Sequence, residues 1–153
     1  MIRPLSLATI LLFLTACTVN EARMSPSKPE FLNSPEVAAL NRPFSQAVRA
    51  GDFLFLAGQL GTDASGKLVS GGIVPEARQT LENVKAVLEQ NGASLGDVVK
   101  CTVFLADMAE WSTFNGVYTQ FFAKPYPARS AFGANGLALN ARVELECIAY
   151  KPR

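Results

Sequence analysis

Histidine is absent from all 153 residues of this chain. Its absence excludes histidine general bases, Ser-His catalytic pairs and the usual histidine-containing zinc sites. Cysteine is scarce as well, with three residues and no pair at Cys-x-x-Cys spacing. We therefore expect no metal site, and any chemistry must come from other polar side chains.

A strong charge of either sign is also lacking. Fourteen lysines and arginines stand against 13 aspartates and glutamates, and Arg3 is the only charged residue among the first 16. Loss of that segment would leave 13 charges of each sign, since 14 minus 1 is 13. A balance near zero gives no electrostatic reason to expect a nucleic acid partner.

The one long apolar run, residues 5–14, is too short for a membrane-spanning helix. It follows Arg3 and ends in Leu-Thr-Ala-Cys at residues 14–17, which resembles the bacterial lipobox. We predict a lipoprotein signal peptide over residues 1–16, cleavage before Cys17 and lipidation of Cys17. The alternative is an ordinary secretory signal that leaves Cys17 free. Because Thr18 stands where aspartate would resemble an inner-membrane retention signal, the expected location is the outer membrane, facing the periplasm.

The remainder of the chain divides into a tether and one domain. Residues 17–30 are polar, carry Pro26 and Pro29, and are predicted to be a lipidated tether. Residues 31–153 suffice for a single core. Hydrophobic periodicity and turn residues predict strands 45–48, 53–57, 99–105, 130–134 and 142–150, and helices 75–90 and 108–122. This order, β-β-α-β-α-β-β, predicts an α+β fold with a mixed sheet and both helices on one face.

Alternation along the strands predicts which side chains face the helices. In the last strand these are Val143, Leu145, Cys147 and Ala149, and in the central strand Val99, Cys101, Val103 and Leu105. Glu144 and Glu146 then point away from the helices. Cys101 and Cys147 on the helix side are interpreted as two buried free thiols, with a disulfide as the alternative in an oxidising periplasm.

One arginine and one glutamate suggest a reaction. Arg129 lies between small residues in Tyr-Pro-Ala-Arg-Ser at 126–130, and Glu144 follows on the last strand. An arginine grips a carboxylate through two parallel hydrogen bonds, and a nearby carboxylate can activate water. The pair predicts hydrolysis of a small anionic molecule. Alternatively, Arg129 is a structural arginine paired with Glu144 or Glu146 at an interface, and the two glutamates form a solvated sheet face.

The order of motifs resembles the Rid (reactive intermediate deaminase) family over about residues 42–151. The segments that carry the resemblance are 43–47, 57–59, 79–84, 98–105, 114–115, 127–130 and 143–149. The resemblance implies a Rid/chorismate-mutase-like fold and a homotrimer in which the sheets line a central barrel. Three clefts then lie at the subunit interfaces, and Arg129 and Glu144 are expected on the sheet side away from the helices.

The same resemblance implies hydrolytic deamination of enamine or imine acids, such as 2-iminobutanoate and 2-iminopropanoate, to 2-oxo acids and ammonia without metal or cofactor. Arg129 would bind the substrate carboxylate and Glu144 would activate water. Asn115, Phe44, Ala57, Gly58 and Ala131 would contribute to substrate binding. Considered without the resemblance, Asn115 is equally a cap or surface amide, and Phe44 a core residue.

Three positions depart from the family pattern. Phe44 stands where archetypal members have tyrosine, Ala57 replaces serine, and Ala131 stands where many members have cysteine. These changes concern substrate choice more than the basic reaction. Two other functions compete: a non-enzymatic module that binds small carboxylates at the trimer clefts, and the endoribonuclease or translation inhibitor of older family labels. Neutral charge and the absence of histidine argue against the latter.

Overall fold

The computed structural model describes residues 28–152, which form seven strands, three α-helices and three short 3₁₀ turns. The strands are β1 Glu30–Leu32, β2 Ala47–Ala50, β3 Phe53–Leu56, β4 Gln59–Leu60, β5 Val98–Leu105, β6 Ala128–Gly133 and β7 Val143–Tyr150. The helices are α1 Pro35–Ala39, α2 Ile73–Gln90 and α3 Trp111–Phe121. The predicted series of elements is present, with β1, α1 and β4 in addition.

All seven strands belong to one mixed sheet in the order β1-β2-β3-β7-β5-β6, and β4 pairs with β7. The β5–β6 pair is parallel, and the other pairs are antiparallel. Such a parallel pair needs a crossover, and α3 supplies it between β5 and β6. The prediction of an α+β fold with a mixed sheet is confirmed. Strand β6 lies at the edge of this sheet.

Helices α2 and α3 pack on the same face of the sheet. Apolar residues recur at helical spacing in both, so one stripe of each helix is buried. In α2 the stripe includes Ala77, Leu81, Val84 and Leu88, and it ends where Gly92 adopts a φ of 74°. The helix stripes and the inward residues of the strands share one hydrophobic core. The helix face is therefore closed, whereas Phe53, Phe55 and Tyr150 on the opposite sheet face are 43–44% exposed.

The added elements arise from local signals that hydrophobic periodicity does not capture. Ser34 caps α1 by accepting a hydrogen bond from the Val37 N–H, and Pro35 is the first helical residue. Strand β1 begins at Glu30, inside the predicted tether, and pairs with β2. Strand β3 ends at Leu56, before residues 58–61, and Gln59 and Leu60 of that segment then pair with β7 as β4.

The predicted inward position of Val99 is wrong. The register between β5 and β7 shifts between Val98 and Lys100, and this irregularity reverses the alternation at the start of β5. Val98 is consequently buried, and Val99 is 43% exposed. From Cys101 onward the predicted alternation holds: Cys101, Val103 and Leu105 are buried.

The two cysteines of the domain form a disulfide, so the interpretation as free thiols is wrong. Cys101 and Cys147 are directly opposite in the β5–β7 register, with their Cα atoms 4.1 Å apart. Both side chains are buried in the core beneath the helices. The predicted alternation correctly placed both cysteines on the same face of the sheet. Predicting the disulfide would also have required the register between their two strands, because the cysteines are 46 residues apart in the sequence.

The predicted signal peptide at residues 1–16, the predicted lipidation site Cys17 and most of the predicted tether lie outside the described residues, and so does Arg153. Within residues 28–152 no helix is both long enough and apolar enough to cross a membrane.

Candidate functional site

Arg129 lies on the helix side of the sheet, and the expectation that it faces away from the helices is wrong. Its position follows from register, because Arg129 is the β6 partner of Cys101 in β5. Neighbouring residues in register point to the same face of a sheet, and Cys101 is buried beneath the helices. The guanidinium is therefore placed against α3.

Three side chains of α3 contact this guanidinium. Arg129 Nη2 donates a hydrogen bond of 2.7 Å to Asn115 Oδ1. The guanidinium carbon lies 4.5 Å from the ring centroid of Trp111 and 4.4 Å from that of Tyr118, both within cation–π range. Hydrophobic periodicity alone makes Trp111 and Tyr118 members of the apolar stripe of α3. The spacing of residues 111, 115 and 118 places both aromatic residues on the same helix face as Asn115. This spacing is the sequence signal from which their place in the site could have been predicted.

Arg129 has no ion-pair partner among residues 28–152 of one chain, and its pairing with Glu144 or Glu146 at an interface stays a prediction. Its contacts are an amide oxygen and two aromatic rings. Burial raises the pKa of Tyr118 to about 12, with the charge of Arg129 opposing the increase, so the phenol stays neutral. The positive charge of Arg129 is therefore locally uncompensated.

Glu144 lies on the opposite face of the sheet. It is the β7 partner of Phe104 in β5 and of Leu60 in β4, and its neighbours Val143 and Leu145 are buried on the helix side. This confirms the predicted direction of Glu144. Partial burial, and secondarily the nearby charge of Glu146, raises the pKa of its carboxyl above 4.5.

Gly58 lies directly against the Glu144 carboxyl group. A Cβ atom at position 58 would overlap Glu144 Oε1 and lie 2.8 Å from Cδ. The absence of a side chain at position 58 thus allows the carboxyl group to lie where it does. Ala57 precedes it and donates its backbone N–H to the Gln46 carbonyl over 3.1 Å, which fixes the end of β3.

A groove of about 870 Å³ contains Glu144, Gly58 and Phe44. Its other walls come from the segment 34–46, the turn after β4, and one side of α2. Phe44 is 51% exposed, so it is a groove wall rather than a core residue. The Arg42 guanidinium lies 5.8 Å from the Phe44 ring. We name Phe44, Gly58 and Glu144 the groove half-site.

Asn115, Arg129 and Ala131 form a second group, the helix half-site, and none of them lines the groove. Ala131 is the partner of Val103, so it shares the helix-facing side with Arg129, and it packs against the core. The predicted site residues are therefore present as two groups rather than one.

The two half-sites cannot meet on a small molecule within one chain. Strand β5 separates β6 from β7, which puts Arg129 and Glu144 two strand spacings, or about 10 Å, apart across the sheet. Their partners in β5, Cys101 and Phe104, are a further three residues, about 10 Å, apart along the strand. The two side chains also occupy opposite faces. Within one chain the predicted pair is incomplete.

No group of three or more aspartate, glutamate or cysteine side chains suited to holding a metal ion occurs within residues 28–152.

Comparison with known proteins gives one consistent result. The model of the family described as Endoribonuclease L-PSP matches residues 34–151. A 2-iminobutanoate/2-iminopropanoate deaminase of Bos taurus is 42% identical over 129 residues, covering 84% of this chain and 94% of that protein. A RutC family protein of Pyrococcus horikoshii is 47% identical over 110 residues, 71% of this chain and 87% of its own length. The crystal structure of RidA from an Antarctic Psychrobacter aligns with a TM-score of 0.69 at 39% identity, covering 71% of this chain and 89% of that chain.

Proposed function

The chain belongs to the Endoribonuclease L-PSP (Rid) family, and from this premise we propose that it hydrolyses small imine acids at a site shared between two copies of the chain. The substrates are acids of the 2-iminobutanoate and 2-iminopropanoate type, and the products are 2-oxo acids and ammonia. The main support for this proposal is that the site is divided within one chain. Arg129 has no carboxylate partner there, and the groove that contains Glu144 does not include Arg129. The deaminase of Bos taurus supports the reaction class.

The proposed assembly is a homotrimer in which the uncovered sheet faces turn inward. Support comes from the exposed aromatic residues of that sheet: Phe53 and Phe55 are 43% exposed and Tyr150 is 44% exposed. Clustered exposed aromatics of this kind mark interaction surfaces rather than solvated faces. A closed ring would bring the groove half-site of one copy to the helix half-site of the next, and each interface would then hold one complete cleft.

In the proposed reaction Arg129 holds the substrate carboxylate by paired hydrogen bonds, which fixes the position of the protonated imine carbon. Glu144 of the neighbouring copy accepts a proton from water while the water oxygen bonds to that carbon and the C=N π electrons move to nitrogen. Glu144 then returns the proton to nitrogen. The C–N bond breaks, the hydroxyl proton leaves with the departing ammonia as ammonium, and the 2-oxo acid remains.

The raised pKa of Glu144 predicts the acid limb of the pH profile. The carboxylate must be deprotonated to accept a proton, so kcat/KM should rise with pH through a midpoint above the ordinary 4.5. Replacing Glu146 with glutamine removes a negative neighbour and should move the limb to lower pH. Initial rates of ammonia release at a series of pH values, measured for the wild type and for Glu146→Gln, give the shift in the midpoint. Protonation of the substrate affects both proteins equally and therefore does not contribute to this difference. Superimposable profiles would contradict the role of Glu144 as base.

Replacing Gly58 with alanine should disable Glu144 without touching it. The new methyl group would overlap Oε1, so the carboxylate must turn away from its present place. Misplacement of a catalytic group by about 1 Å costs about 10²-fold in rate. Gly96→Ala is the matched control, since a Cβ there makes only an ordinary contact of 3.6 Å with Ser94 Oγ. Equal kcat values for the two variants would refute this dependence.

The function itself is tested by ammonia release from a panel of imino acids generated in place by an amino-acid oxidase. We expect release above the spontaneous rate for small aliphatic imines. Saturable binding of 2-oxo acids without acceleration of any imine would instead identify a non-enzymatic binding module.

RNA cleavage is not favoured by the groove. Three carboxylates, Glu36, Asp63 and Glu144, line it with a single arginine, Arg42. Such a balance opposes a phosphate backbone, which needs clustered lysine and arginine.

We further propose that this domain works at the bacterial envelope, lipid-anchored through Cys17 and facing the periplasm from the outer membrane. The lipobox-like residues 14–17 support the proposal. Incorporation of labelled palmitate into the intact chain, abolished by Cys17→Ala, is the expected result; unlabelled protein would exclude the anchor.

A further inference from the structure

Three side chains of α3, one amide and two aromatic rings, contact Arg129. Trp111, Asn115 and Tyr118 are separated by four and three residues, so they lie one above another on the helix. Tyr118 shares the core with its neighbours Phe114, Val117 and Phe122, and Trp111 packs against that core. Trp111, Asn115 and Tyr118 are set apart by their contacts with Arg129, and we name them the α3 clamp.

The α3 clamp restrains the guanidinium but leaves its binding edge available. Asn115 engages Nη2, and the guanidinium carbon lies over the faces of both rings. Nε and Nη1 of Arg129 have no hydrogen-bond partner among residues 28–152. Since an arginine binds a carboxylate through its N–H edge, ring contacts and carboxylate binding do not compete.

All members of the α3 clamp are electrically neutral. A structural arginine would normally be matched by an acid, whereas the two rings and the amide hold Arg129 without cancelling its charge. Tyr118 is 3% exposed, and its hydroxyl has no hydrogen-bond partner in the described part of the chain. The ring of Tyr118 is thus placed by packing and contributes to Arg129 through its face.

We propose that Trp111 and Tyr118 are positioning residues that hold the Arg129 guanidinium in one orientation for a ligand carboxylate, an inference that rests on the proposed function. Restraint before binding removes part of the entropy that a free arginine side chain would lose when it binds. Loss of either ring should weaken carboxylate binding by about threefold to tenfold. The effect should appear mainly in KM, because neither ring contacts the reacting carbon.

The test uses leucine and phenylalanine at both positions in the full-length chain. Trp111→Leu and Tyr118→Leu remove the rings, whereas Trp111→Phe and Tyr118→Phe keep a ring for the guanidinium. Phe114→Leu is the matched control: Phe114 is buried on the same helix and contacts both clamp rings, but no cation–π contact joins it to Arg129. Calorimetry gives the Kd of 2-oxobutanoate, an ammonia assay gives kcat and KM, and thermal melting gives Tm.

We expect both leucine variants to raise Kd and KM together, the phenylalanine variants to restore them, and Phe114→Leu to lower Tm while leaving Kd unchanged. Should Tyr118→Leu fail to fold, Trp111→Leu at the partly exposed position 111 still decides the question. If the wild type is active and the leucine variants keep its Kd, the positioning role of Trp111 and Tyr118 is refuted and the proposed deaminase function stands. Absence of turnover, with Kd raised by the leucine variants, overturns the deaminase function alone. A wild-type chain that binds no 2-oxobutanoate overturns the clamp.

Discussion

Replacing Arg129 with alanine is expected to lower kcat/KM for small imine acids by about 10²- to 10³-fold. Truncating one partner of a close charge pair at an interface costs about that much, because the substrate carboxylate is left unpaired. Lysine at position 129 should recover only part of the activity, since an ammonium is a point charge that cannot make paired hydrogen bonds. Ammonia release over a range of substrate concentrations measures both variants.

Arg78 provides the control for this substitution. Its guanidinium also lies over an aromatic ring, 5.9 Å from the centroid of Phe121, but on the exposed outer side of the helices. Arg78→Ala should retain wild-type activity, and Arg129→Ala should retain the oligomeric state of the wild type on size-exclusion chromatography. An active, correctly assembled Arg129→Ala protein would refute carboxylate binding by Arg129.

The direction of Glu144 could be predicted from the sequence, whereas that of Arg129 could not. Strand β7 alternates strictly between buried and accessible residues, so each side chain on it is assigned to a face by its neighbours. Strand β6 is an edge strand whose residues are all exposed or partly exposed, and it shows no such alternation. The face of Arg129 depends on its register with Cys101, a tertiary contact that no local pattern encodes.

The same distinction explains the other corrections. The apolar stripe of α3 was predictable, but the contacts of Trp111 and Tyr118 with Arg129 exist only because β6 lies beneath that helix. The disulfide between Cys101 and Cys147 likewise depends on the register of β5 with β7. Hydrophobic periodicity therefore predicts the helices, the strands and the faces of their side chains. The register between strands determines which of these side chains come into contact.

The second large effect concerns mixtures of two inactive chains. Arg129→Ala lacks the cation of the helix half-site, and Glu144→Gln lacks the base of the groove half-site, which should cost about 10²- to 10⁴-fold. If each cleft takes Arg129 from one copy and Glu144 from the next, a mixed ring contains some clefts in which both residues are intact. Two variants that are each inactive alone should therefore show activity when they are co-expressed.

The expected recovery can be calculated. In rings formed at random from equal amounts of both chains, a cleft receives an intact Arg129 with a probability of one half and an intact Glu144 with the same probability, so about a quarter of wild-type activity should return. A chain carrying both substitutions, co-expressed with wild type, is the control. This mixture should retain about a quarter of wild-type activity if the cleft is shared between two copies. It should retain about a half if the site lies within one chain.

Co-expression of the Arg129→Ala and Glu144→Gln chains, followed by an ammonia assay on the purified mixture, tests the shared cleft most directly. The geometry of opposite sheet faces predicts recovery of about a quarter of wild-type kcat/KM. Activity no greater than the mean of the two separate variants would contradict it.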